Sequence, residues 1–121
     1  MNAATMMQTA TILLALTAAG GVLMALIRFG SGASNPPSWI AMGHGLLAGA
    51  GLTLLLYAGF TAGIPPLTWI GVALLAAAAL VGTNLNLAYH AKLIPIPKGT
   101  VVIHALLAVA GFVLIAWTSF R

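Results

Sequence analysis

Apolar residues run along this chain in four long blocks, at residues 5–29, 37–60, 65–91 and 98–120, and turn-forming residues collect between them. Each block reaches the roughly 20 residues that a helix needs to cross a bilayer. The breaks are Gly-, Ser- and Pro-rich at 30–37, Gly-Ile-Pro-Pro at 63–66 and Pro-Ile-Pro at 95–97. Prolines at the heads of the second, third and fourth blocks suit a first helical turn, where the missing N–H costs nothing. Short connections set sequential helices antiparallel. The pattern predicts an all-α membrane protein, a four-helix transmembrane bundle running up-down-up-down as one domain over 1–121. The two-residue alternation of a β-barrel is absent. No basic residue precedes the first apolar block, and that block is longer than a signal-peptide core, so it is expected to remain as the first span.

Composition points to the same medium. Hydrophobic residues make up 62% of the chain, Lys and Arg together number four, and Asp and Glu are absent. A soluble domain carries about a quarter charged residues, so these side chains do not suffice for a water-facing surface. Arg28, Lys92 and Lys98 flank the first and third connections, and Arg121 alone follows the last block. By the excess of cations on cytoplasmic loops, this places both termini on the non-cytoplasmic side of a bacterial-type inner membrane. Trp39, Trp69 and Trp117 fall near block ends, where interfacial aromatics belong. The basic pI reflects missing acids rather than a basic patch, so nucleic-acid binding is not indicated. Cysteine is absent, which removes thiol chemistry and thiolate ligation.

Two segments of the chain match each other. Residues 44–55 read HGLLAGAGLTLL and residues 104–115 read HALLAVAGFVLI, with seven of twelve positions identical at a spacing of sixty. Self-similarity at a fixed period marks a repeated structural unit, here two pseudo-repeated helical hairpins. His44 lies about 10 Å along the second helix and His104 about 9 Å along the fourth, at 1.5 Å per residue. Both helices start from the same side, so the two imidazoles are expected at one depth. Ala48 and Gly51 follow His44 on its face, and Ala108 and Gly111 follow His104 in the same relation. These small residues are expected to leave room beneath each ring, and Gly45 and Gly49 to serve helix packing.

Ionisable groups inside a membrane are costly and mark function. The leading reading is one haem b per chain between the second and fourth helices, with His44 and His104 as axial ligands. Its propionates would meet Arg28, Lys92 and Lys98, the cations at that end. Without carboxylates, hard-metal and di-iron sites have no oxygen ligands. A rival is a copper or zinc site of His44, His90 and His104, with Met24 or Met42 assisting copper. His90, at the end of the third helix beside Tyr89 and Lys92, is expected to contact a propionate, to move protons near a quinone headgroup or to sit at the interface without a ligand. Asn84 and Asn86 are expected to hydrogen-bond between helices.

Through His44, Gly51, His104 and Gly111, the second and fourth helices resemble the membrane b-type cytochromes. The resemblance implies bis-histidine haem b and electron transfer with a quinone or a redox protein as partner, more as an electron-transfer protein or respiratory subunit than as a stand-alone enzyme. Di-haem members use four histidines, whereas this chain has three, so one haem is expected. The size also resembles the small multidrug transporters, but their membrane glutamate has no counterpart here. A cofactor-free accessory subunit of a larger membrane complex, or a homo-oligomer in the bilayer, stays open at this point.

Overall fold

The computed structural model describes residues 1–32 and 35–121; the part of the first break at Ala33 and Ser34 lies outside them. Four helices form a bundle: α1 (Ala3–Gly30), α2 (Ser38–Thr61), α3 (Pro66–Asn84) and α4 (Lys98–Ser119). The chain continues from α3 through a π-helical turn, Leu85–Tyr89, and a 3-10 turn, His90–Lys92. With that extension the third span covers 27 residues, and all four helices are long and apolar enough to cross a membrane.

Local sequence explains the boundaries. Asn2 caps α1, its Oδ1 accepting from the Thr5 amide at 2.8 Å, which satisfies one of the unpaired first-turn donors. Pro37, Pro65 and Pro97 stand immediately before α2, α3 and α4. At the end of α2, Gly63 takes φ +82° and its amide reaches back to the Ala58 carbonyl at 3.0 Å. That left-handed closure suits glycine and lets the chain turn directly into α3. The third span departs from the sequence expectation of one continuous helix over 65–91. Its last two turns widen and then tighten, and Leu93 (φ 58°) ends them.

The strongest packing lies within the pairs α1–α2 and α3–α4, and α1 also packs on α4, whereas α2 and α3 touch less. Close approach within each pair is made by equivalent residues. A Cβ on Gly51 would stand 2.9 Å from Leu14 Cγ and 3.4 Å from the Ala10 carbonyl oxygen. A Cβ on Gly111 would stand 2.9 Å from Leu75 Cγ and 3.0 Å from the Gly71 carbonyl oxygen. Leu55 and Ile115, also sixty residues apart, are fully buried in the same cluster with Met7, Ala10, Leu14, Val72 and Leu75. Contact of this kind holds membrane helices together, since lipid offers no water to escape from.

Polar side chains join elements at both ends of the bundle. At one end the Thr11 hydroxyl donates to Ser119 Oγ (3.0 Å), Gln8 Nε2 donates to the Ser119 carbonyl (3.1 Å) and Thr68 donates to Thr118 (2.9 Å). At the other, Asn35 Nδ2 donates to the Ile94 carbonyl at 2.9 Å while its Oδ1 accepts from the Ile96 amide at 3.0 Å. The outside is apolar: Trp39, Phe60 and Leu80 are each at least 75% exposed. The inside-out hydrophobicity that water would penalise is what a lipid solvent permits.

Candidate functional site

Toward the end that carries residues 35–37 and 93–97, a cavity of about 400 Å³ opens among the four helices. His44, His90 and His104 all line it, with Gly45, Ala48, Gly49, Gly82 and Asn86. Its volume lies in the range of about 300–1,000 Å³ usual for small-molecule and cofactor sites.

The imidazoles of His44 and His104 meet edge to face, with ring centres 6.1 Å apart and planes at 67°. Each ring is fixed by the helix that precedes its own. His44 Nδ1 donates to the Thr17 carbonyl at 2.8 Å, and His104 Nδ1 donates to the Ala78 carbonyl at 2.7 Å. A carbonyl oxygen only accepts, so in both rings Nδ1 carries the proton and Nε2 keeps a lone pair. Among the described residues, neither Nε2 has a hydrogen-bond partner. The Cε1 edges press on glycines: a Cβ on Gly21 would stand 3.0 Å from His44 Cε1, and one on Gly82 would stand 2.9 Å from His104 Cε1. Carbonyl, glycine and histidine thus recur from one hairpin to the next, at spacings of 61, 61 and 60 residues.

His90 is held differently. Its Nε2 donates to the Pro36 carbonyl at 2.7 Å, tying the third span to the segment before α2. The π-turn supports this placement, because its wider winding delays the residues after it by about one position. Among the described residues, no three potential ligand side chains converge on a metal-ion position. The three-histidine copper or zinc arrangement is therefore not assembled. Met24 lines the cavity, whereas Met42 is exposed and does not.

The small-residue stripe is redistributed. Ala48 lines the cavity, but Gly51 and Gly111 face Leu14 and Leu75 across helix contacts and leave no open room. Ala108 is half-buried and lies off the cavity lining. The open positions are instead Gly45 and Gly49, where a Cβ would meet nothing within 4 Å. The cations are also displaced from the expected arrangement, because Arg28, Lys92 and Lys98 are not among the lining residues. Arg28 Nε donates to the Ile96 carbonyl at 3.0 Å, Lys98 Nζ sits 5.6 Å from the Phe29 ring centre, and Lys92 is exposed.

Sequence reasoning missed Thr17, Gly21, Ala78 and Gly82. A signal for the glycines was present: Leu13-Leu14-Ala15, Ala18 and Gly21 repeat as Leu74-Leu75-Ala76, Ala79 and Gly82. Comparisons with protein-family models, curated proteins and solved structures find no match.

Proposed function

We propose that this chain is a multi-pass membrane protein that binds one haem b between His44 and His104 and passes electrons. One observation carries the reading: two imidazoles face one cavity, each with Nδ1 engaged by a backbone carbonyl and Nε2 left as a free lone pair. An outer partner on the second ring nitrogen is the usual support of a ligating histidine. His44 and His104 would hold the iron through their Nε2 atoms. Gly45 and Gly49 leave a flat, side-chain-free wall for a planar group. Bound there, haem would supply a one-electron couple tuned by its axial ligands and its dry surroundings.

In this reading the helices alternate direction across a bacterial-type inner membrane, with the termini on the non-cytoplasmic side. Supporting contacts join Thr11 with Ser119 at one end and Asn35 with Ile96 at the other. A single haem in one half of the bilayer calls for a quinone or a redox protein, or a larger membrane complex, to complete the electron path. A cofactor-free accessory subunit would give the two free Nε2 atoms no ligand to hold.

The test is the visible absorption spectrum of detergent-purified protein, oxidised and then dithionite-reduced. Sharp Soret and α bands on reduction are expected. A featureless spectrum, with haem supply in the host shown to be sufficient, overturns the haem.

A further inference from the structure

We propose that Arg28 and Lys98 form a binding site for the phosphate headgroup of an anionic phospholipid, where the end of α1 meets the start of α4. The inference rests on the membrane reading above but not on haem. The chain contains no Asp or Glu, so neither cation has an acidic side chain to pair with. Both lie off the cavity, which leaves them without a role toward a ligand held there.

The two are drawn together by short segments that touch twice. Arg28 donates through Nε to the Ile96 carbonyl at 3.0 Å, and Lys98, two residues further on, lies 5.6 Å from the ring centre of Phe29. The Nε bond fixes the plane of a half-buried guanidinium. Its four remaining N–H donors have no partner among the described residues. An anion bound with both would offset the repulsion of two like charges on touching segments, and a planar guanidinium suits phosphate geometry. Exposed apolar side chains lie near the cations in the chain. Leu26 and Phe29 on α1 and Val102 on α4 are all exposed, and Val102 follows Lys98 by one helical turn. Cations at helix ends beside exposed apolar side chains suit a lipid with an anionic head and apolar tails, and basic pockets between membrane helices take such headgroups.

The experiment uses the full chain in phosphatidylcholine vesicles containing a minor fraction of phosphatidylglycerol. Lipid retained through detergent extraction is quantified by mass spectrometry. Wild type is expected to retain phosphatidylglycerol enriched roughly tenfold over the vesicle composition, and Arg28→Gln and Lys98→Gln each to lower that about fivefold. Arg121→Gln, at the far end, should retain the wild-type enrichment. Arg28→Gln also removes the bond to Ile96, so the exposed Lys98 carries the test if that variant folds poorly. Unchanged enrichment in Lys98→Gln overturns the site, as does an equal loss in Arg121→Gln. Displacement of the lipid by millimolar inorganic phosphate overturns the lipid as its source. Vesicle flotation separates the two readings. A chain that floats without enrichment loses the lipid site alone, whereas one that does not float loses the membrane reading and the site with it.

Discussion

His44 and His104 stand edge to face, 6.1 Å between ring centres, and each is oriented by a backbone carbonyl on the helix before its own. Side-chain identity at positions 17 and 78 therefore matters less than the course of α1 and α3. If the pair ligates one haem, His44→Ala and His104→Ala each abolish the low-spin spectrum, whereas His90→Ala retains it. Reduced-minus-oxidised spectra check this; loss in only one of the first two variants rejects paired ligation.

Gly21→Ala and Gly82→Ala probe the seats of the rings. The added methyls would stand 3.0 and 2.9 Å from the two Cε1 atoms, and such overpacking costs about 1–3 kcal/mol. Haem retention should fall roughly tenfold or more in each. Gly43→Ala, where nothing lies within 4 Å, should match wild type in the same titration with added haem.

Helix contact has its own pair of variants. At Gly111 the new Cβ meets the Gly71 carbonyl oxygen at 3.0 Å as well as Leu75, and backbone yields less readily than a side chain. Gly111→Ala is expected to destabilise the bundle by about 1–3 kcal/mol, read as a lower thermal midpoint in detergent. Gly99→Ala, with open space around it, should leave the midpoint unchanged.

The loop clamp at Asn35 is testable by amide exchange. Asn35 accepts from the Ile96 amide and donates to the Ile94 carbonyl. Asn35→Ala removes both bonds, worth about 1 kcal/mol each, and Ile96 should exchange about fivefold faster or more. Asn35→Asp keeps an acceptor for Ile96, so protection there should largely survive; equal exposure in both variants would refute the assignment.

Sidedness can be read directly because the chain has no cysteine. Leu93→Cys and Phe120→Cys lie at exposed positions near opposite ends of the third and fourth spans. An impermeant maleimide should label the first from the cytoplasmic side and the second from the other. Labelling of both from one side contradicts alternating helices.

The four helices were legible because long apolar runs and proline punctuation mark helix extent and helix start directly. The expected and observed boundaries of α2 and α4 agree within one residue. The π-turn was not legible, since Leu85–Tyr89 has no breaker residue to mark a change of winding. In the site, the repeat pointed to His44 and His104, but their carbonyl partners carry no sequence signature, because every residue has a carbonyl. The roles of Gly51 and Gly45 were exchanged for a geometric reason. Face periodicity says which residues align, whereas helix crossing decides where a face meets Leu14 and where it opens into a cleft.

Each hairpin carries one histidine, one carbonyl and one glycine, and so holds half of the cleft. Two separate hairpins would have to meet by diffusion; the turn at residues 62–65 replaces that encounter with a local concentration in the millimolar range typical of short connectors. Once connectivity guarantees the pairing, the halves are free to diverge. Where the first has Arg28 and Phe29, the second, 61 residues on, has Tyr89 and His90. Of these four only His90 lines the cleft, so a molecule with two unlike edges meets an imidazole on one side of the mouth and none on the other, and enters in one orientation of the two that an exact duplicate would allow.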